Sequence, residues 1–256
     1  MGKKKANTTG IQSIERAIHI LEAIKKRKSP ITLTELAELV GMGTSSLQKY
    51  LFSFVKTGVL TFDEKSKVYT LGPKLIELGL SALNSLDDIS HIYPYLEKIR
   101  DKYNQSSALA VWTEHGPMIV KYQKSKRSIN VHIEEGFSPP LLVSSIGKCF
   151  AAFLPFETIQ EQYKREIEKY GLDEKKLSKD LEKIRTNKLS IRDTNVTELP
   201  GNVSVSCPIF NHESKLIAVI GIVGFNEDLI EFTKSEDENW LQRISHEISE
   251  ELGYRA

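Results

Sequence analysis

Among the side chains able to act as nucleophiles, bases or metal ligands, one pair has a suggestive spacing. Ser145-Ile146-Gly147-Lys148 sets a serine three residues before a lysine, as in acyl-transferring enzymes where the lysine accepts the serine proton. That chemistry also needs the two side chains in contact, further polar partners and an oxyanion hole. No accompanying motif supplies them, so a hydrolytic enzyme using Ser145 and Lys148 is kept only as the alternative reading, and no catalytic residue is expected. His19, His91, His115, His132, His212 and His246 are scattered, none at zinc-ligand spacing from cysteine or carboxylate. No required metal is expected. There is no Gly-x-Gly-x-x-Gly or phosphate loop, so neither nucleotide hydrolysis nor a cofactor is expected. Cys149 and Cys207 lie in apolar surroundings and read as buried, reduced thiols.

A different chemistry is concentrated between residues 44 and 49. Thr44, Ser45, Ser46, Gln48 and Lys49 stand near the start of an amphipathic stretch. Small hydroxyls allow close approach to phosphates or bases, glutamine pairs with adenine, and lysine reaches guanine or a phosphate. Lys65 and Lys67, in the polar connection of a hairpin, would neutralise backbone phosphates and release counterions. Thr32 and Thr34, at the start of the preceding helix, complete the candidate DNA-binding set. The alternative for the hydroxyls is helix capping, and for the lysines a solvated face. Charge favours the nucleic acid. Residues 1–74 hold 13 Lys and Arg against 6 Asp and Glu, net +7, whereas the remainder holds 22 against 28, net −6.

The elements that must position these residues follow from periodicity. Residues 1–10 are polar and expected to be a disordered tail. Ile14, Ala17, Ile18, Leu21 and Ile24 predict a helix with Ser13 as its N-cap. Thr32 and Glu35 have capping-box spacing for a second, short helix. Gly41-Met42-Gly43 breaks the chain, and a third helix runs from about Thr44 to Thr57. Val59–Phe62 and Val68–Leu71 predict a hairpin. Helix, turn, helix and hairpin make a winged helix-turn-helix over residues 11–74, whose third helix suits the major groove. A helical linker over 75–88 leads to a second domain, 89–256. One helix is expected from near Asp87 to Tyr103, and strands at Leu109–Thr113, Met118–Gln123, Ile129–Ile133, Val203–Phe210 and Leu216–Val223. Helices are expected at Ser145–Leu154, Glu157–Lys169, Glu174–Asn187 and Glu236–Leu252. The class is α+β, with a largely antiparallel sheet.

Length and a 40% hydrophobic content are ordinary for a globular protein of two modest domains. No run of about 18 apolar residues predicts a membrane span. The basic Met1–Lys5 is followed by a polar segment, so no secretory signal is expected and the cytoplasm is the expected compartment.

In order and spacing, several segments resemble the IclR family of bacterial transcription regulators. They are Thr32–Ala37, Gly41–Leu47, Thr57–Leu60, Tyr69–Leu75, Gly147-Lys148 leading to Phe153-Leu154-Pro155, Cys207–Phe210 and Ile220–Gly224. The resemblance runs from about Ile14 to Leu252. It implies a GAF/PAS-like α/β effector-binding domain whose ligand sits between the sheet and a loop-helix cover. Carried over by position, the pocket residues are Ser144, Ser145, Ile146, Gly147, Thr194, Asn195, Ser204, Ser206, Gly221 and Val223. Hydroxyls and backbone N–H groups at Ser145-Ile146-Gly147 suit a carboxylate. Leu199-Pro200-Gly201-Asn202 reads as a cover or tight turn. The implied partners are double-stranded operator DNA, a small-molecule effector, and a second copy of the chain in a dimer or dimer of dimers. Two departures stand out. Tyr50 replaces the usual aliphatic residue and is expected to pack between helices. Gly221 and Val223 stand where members that bind small carboxylic acids carry hydroxyl side chains, which leaves the ligand open. Besides the enzyme alternative, an adaptor whose winged domain binds protein predicts no salt-sensitive DNA affinity.

Overall fold

The computed structural model describes residues 10–84, 87–129, 131–192, 202–225 and 238–255. Two units divide the chain, residues 1–86 and 87–256. Most of the expected N-terminal tail, and Thr194, Asn195 and residues 199–201 of the expected pocket and cover, lie outside the described residues.

In the first unit, α1 (Gln12–Arg27) buries Ile20, Ala23 and Ile24 and ends in Lys25, Lys26 and Arg27, where the helix dipole favours cations. Its N-cap is Ile11, not Ser13, and no side chain caps it. Instead the N–H groups of Ile14 and Glu15 both reach the Ile11 carbonyl, so Ser13 sits inside the first turn. After β1 (Ile31–Thr32), which the hydrophobic pattern is too short to reveal, α2 (Leu33–Val40) starts on the expected capping box. Gly41 ends α2 at φ 65°, a left-handed conformation suited to glycine. The recognition candidate α3 spans Thr44–Lys56. Strands β2 (Leu60–Asp63) and β3 (Val68–Leu71) form the hairpin, and β1 pairs with the far side of β3, all antiparallel. Leu36, Ala37, Leu47, Leu51 and Leu60 close the core with the α1 residues. Tyr50 packs against this core, as expected. Then α4 covers Pro73–Asn84.

In the second unit a five-stranded antiparallel sheet runs β5-β4-β8-β7-β6. Its strands are β4 (Ser106–Thr113), β5 (Gly116–Gln123), β6 (Ser190–Arg192), β7 (Asn202–Phe210) and β8 (Leu216–Phe225). One face carries Ala108, Ala110 and Val219, packed against α7 (Ser145–Phe153), with α8 (Phe156–Tyr170) and α9 (Glu174–Asn187) in the same apolar cluster. Residues of the other parity face α6 (Tyr93–Tyr103), as the bond from Ser107 Oγ to the Leu96 carbonyl illustrates. The last helix, α10 (Glu238–Glu251), is tied to β7 by Ser245 Oγ to the Pro208 carbonyl and by the Phe210 N–H to Ser249 Oγ.

Two expectations for this unit need correction. The single helix from Asp87 to Tyr103 is two, α5 (Asp87–Ser90) and α6. Pro94 has no N–H for the Ser90 carbonyl, and its ring excludes a continuous helix there. Ile129–Ile133 is not a strand among its described residues. The outer edge of β5 is met instead by Gly136 and Phe137, which exchange backbone hydrogen bonds with Ile119, and Ile129 is exposed. One strand was not expected: β6 has only three residues, too few to display a period of two.

Candidate functional site

The start of α3 decides between capping and contact for its hydroxyls. The N-cap position is Gly43, and no side chain caps the helix. The hydroxyls of Thr44, Ser45 and Ser46 therefore do not cap the helix, and all three residues are exposed, as are Gln48 and Lys49. Gly43 allows this because it has no side chain to fold back on the helix. The result is a convex face of hydroxyls, an amide and a cation, beside the positive end of a helix dipole. Lys65 and Lys67 are likewise exposed. Their turn is built on Asp63, whose carboxylate accepts the N–H groups of Lys65 (2.7 Å) and Ser66 (3.2 Å). Those bonds, that of Ser66 first, pull the Asp63 carboxyl below its usual range. Lys67 takes a positive φ of 57° and its Nζ lies 5.8 Å over the Phe62 ring.

The two threonines of α2 differ. Thr34 is exposed. Thr32 is half-buried and occupied: its hydroxyl donates to Glu35 Oε2 at 2.9 Å and accepts the Glu35 N–H. Its own N–H donates to the same carboxylate oxygen at 3.0 Å. These bonds hold the Glu35 carboxyl below its ordinary value, the Thr32 N–H contributing most. The hydroxyl proton of Thr32 thus serves the helix.

In the second unit, the described residues among those expected around a ligand converge on one face of the sheet under α7. Ser144 caps α7, accepting the Gly147 N–H at 2.8 Å and donating to the Pro140 carbonyl. Ser145 Oγ lies 2.9 Å from Ser204 Oγ and 2.7 Å from Ser206 Oγ, a closed cluster of three buried hydroxyls. Gly221 pairs with Ser206, and Val223 with Ser204. A Cβ at Gly221 would stand 2.7 Å from Ser206 Oγ, so the serine side chain fills the space that a larger residue at 221 would need. Ile146 joins the apolar cluster. Gly147 lies so close to the Pro140 and Leu141 carbonyls that no side chain fits.

Three neighbours of this face were not foreseen. Ser190 and Arg192 on β6 pair with Ser206 and Ser204, and Ser190 Oγ is buried without a hydrogen-bond partner among the described residues. Glu166 on α8, only 6% exposed, accepts the N–H groups of Leu141 and Leu142 at 2.8 Å each and Gln162 Nε2 at 3.0 Å. It fixes the loop that leads into α7. The short strand carried no period, and a carboxylate anchoring a loop 25 residues away in sequence leaves no local signal.

The Ser145–Lys148 pair does not assemble. Ser145 spends its hydroxyl on Ser204 and Ser206. Burial lowers the Lys148 pKa, with Asp180 opposing and Lys176 and Arg192 adding to the shift. An open cavity of about 590 Å³ lies elsewhere, lined by Lys188, Phe210, Arg243, His246 and Tyr254 among others. None of the expected effector residues lines it. Among the described residues no group of three His, Cys, Asp or Glu is placed to hold a metal ion, and no helix is long and apolar enough to cross a membrane.

Comparison with known proteins matches residues 13–64 to the IclR helix-turn-helix domain and residues 80–250 to the bacterial transcriptional regulator IclR C-terminal domain. The HTH-type transcriptional regulator XynR of Escherichia coli K12 is 23% identical over 251 residues, covering 96% of this chain and 99% of that one. The crystal structure of Pseudomonas aeruginosa HmgR is 31% identical, with a TM-score of 0.61 over 96% of this chain and all of that one. An IclR homolog from Microbacterium hydrocarbonoxydans, solved in complex with 4-hydroxybenzoate, shares the fold at 16% identity, with a TM-score of 0.78 over 93% of this chain and 98% of that one.

Proposed function

The chain belongs to the IclR family of bacterial transcriptional regulators, and we propose that α3 reads operator DNA while the serine-lined face under α7 receives the small molecule. A ligand-responsive DNA-binding regulator, not an enzyme, is what the family match establishes. The observation that carries the assignment of α3 is its uncapped start: Thr44, Ser45, Ser46, Gln48 and Lys49 all face solvent beneath a glycine N-cap. Lys65 and Lys67 supply phosphate contacts from the hairpin, and Thr34 a contact beside them.

The ligand enters against Ser145, Ile146, Gly147, Ser204, Ser206, Gly221 and Val223; Thr194 and Asn195, outside the described residues, stay in the proposed set. Its polar group takes over hydroxyls that otherwise bond to one another, so binding exchanges hydrogen bonds instead of stranding them. A small organic metabolite fits this exchange. The regulator works in the cytoplasm as a symmetric dimer or dimer of dimers, because paired half-sites need paired helices. Ile11, Ile14 and Ile18 support self-association: they are exposed apolar residues at steps of three and four, from the N-cap into α1. A ligand that binds two dimer geometries unequally shifts their populations and hence the spacing of the two α3 helices.

The test is fluorescence anisotropy on duplex DNA from upstream of the chain's own reading frame, across a salt series, for wild type and Lys49→Ala/Ser46→Ala. The variant is expected to bind more weakly, to lose sequence preference and to show a shallower salt slope by about one counterion per protomer. Equal affinity, preference and slope in both proteins would overturn the assignment of α3.

A further inference from the structure

We propose that Phe52 reads a thymine methyl group in each operator half-site. The inference rests on α3 being the DNA-reading helix. Along a helix of 3.6 residues per turn, Ser45, Lys49, Phe52 and Lys56 follow at steps of four, three and four, which makes one stripe. The stripe lies opposite Leu47 and Leu51, both fully buried. Phe52 is 71% exposed, whereas the aromatic residues two positions to either side, Tyr50 and Phe54, pack against the core. No aromatic ring or hydrogen bond engages it among the described residues.

Charge decides what meets this ring. Lys49 stands one turn before it and Lys56 one turn after it, on the same stripe, and Ser45 and Gln48 add polar groups beside it. An apolar protein surface laid over the stripe would have to desolvate both ammonium groups. A polyanion gives both an acceptor, a guanine edge for Lys49 and a phosphate for Lys56, and leaves the ring to the groove floor. In the major groove the apolar group on a base edge is the C5-methyl of thymine, and phenylalanine is one of the side chains that contacts it. The ring therefore separates T from C at one position per half-site without a hydrogen bond. Gln48 and Lys49 separate the remaining bases by donor and acceptor pattern.

The experiment selects binding sites from a randomised duplex pool with four full-length proteins: wild type, Phe52→Ala, Phe52→Leu and Lys49→Ala. Thymine in the selected site is then replaced, position by position, by deoxyuridine, which deletes the methyl group alone. At one position the wild type is expected to lose about fourfold in affinity per half-site, from the burial of one methyl group. Phe52→Ala binds thymine and deoxyuridine there equally and no longer selects thymine; Phe52→Leu keeps part of the preference. Because the ring is exposed, its truncation leaves the core intact. If Phe52→Ala selects the wild-type motif and keeps the deoxyuridine penalty, while Lys49→Ala relaxes another position, the thymine contact falls and the assignment of α3 stands. If Lys49→Ala also selects an unchanged motif, both fall. A changed association state in Phe52→Ala with an unchanged motif would assign the ring to a protein surface and overturn the proposal.

Discussion

Glu166 offers a perturbation whose size follows from its surroundings. The carboxylate is buried and accepts the Leu141 and Leu142 N–H groups and Gln162 Nε2. Those two amides belong to the loop that places Ser144 and Ser145. In Glu166→Ala both lose their acceptor inside the protein. A buried donor left unpaired costs about 1–3 kcal/mol, so the two amides together cost roughly 2–6 kcal/mol. In a unit of this size each kcal/mol lowers the midpoint by about 2–4 °C, so the melting transition of the second unit should fall by about 4–24 °C. Glu166→Gln should fall between, since one oxygen still accepts while the amide nitrogen confronts the other N–H. Gln162→Ala removes one bond of about 1 kcal/mol and should shift the transition by about 2–4 °C. The assay is differential scanning calorimetry of the full chain, with DNA affinity measured in parallel at 20 °C or below. If Glu166→Ala melts within about 2 °C of wild type, less than one kcal/mol, the loop is not held by this carboxylate and the reasoning fails.

Further outcomes are expected elsewhere. Gly221→Ala forces its Cβ against Ser206 Oγ and should destabilise by about 1–3 kcal/mol, read by urea denaturation; Ser206→Ala should recover part of the loss, and additive effects would show that the two positions do not share space. Burial pushes both cysteine thiols well above their usual range, so a thiol reagent at pH 8 should label neither Cys149 nor Cys207 until the protein unfolds; rapid labelling of the folded chain would refute their burial. The hydrogen bonds from Arg100 and then Lys126 pull the Asp101 carboxyl from 3.8 to about 2. A depressed carboxylate contributes stability above its unfolded pKa and loses it as pH falls through the folded value. The melting temperature should therefore drop between about pH 4 and pH 2, and Asp101→Asn should flatten that part of the curve; an unchanged slope would count against the ion pairs.

Much of the first unit was legible because its signals are local. Thr32 and Glu35 announce a capping box three residues apart, Gly41 a left-handed turn, and Leu36, Leu47, Leu51 and Leu60 an apolar face. What escaped depended on partners distant in sequence. Whether Thr44, Ser45 and Ser46 cap α3 or face outward turns on Gly43 occupying the N-cap, a matter of one residue's backbone conformation. Ile129–Ile133 has the composition of a strand, yet the edge it would pair with is met by Gly136 and Phe137. Ser190–Arg192 becomes a strand only because β7 lies beside it. Pro94 was visible as a helix breaker, and the continuous apolar register of Ile89, Ile92, Leu96 and Ile99 concealed the break. The serine cluster was legible as separate candidates, but its closure on itself was not, since hydroxyl partners 59 and 61 residues apart are chosen by the sheet register.

The central claim, that α3 and the hairpin form the DNA-reading surface, is tested most directly by lysine acetylation footprinting with mass spectrometry. The full chain would be acetylated with and without upstream duplex DNA, at salt low enough for saturation. Lys49, Lys56, Lys65 and Lys67 are expected to be protected by DNA, while Lys126 and Lys215 in the second unit keep their reactivity. Undiminished reactivity at Lys49 and Lys65 in the saturated complex, with protection at the second-unit lysines instead, would contradict the account.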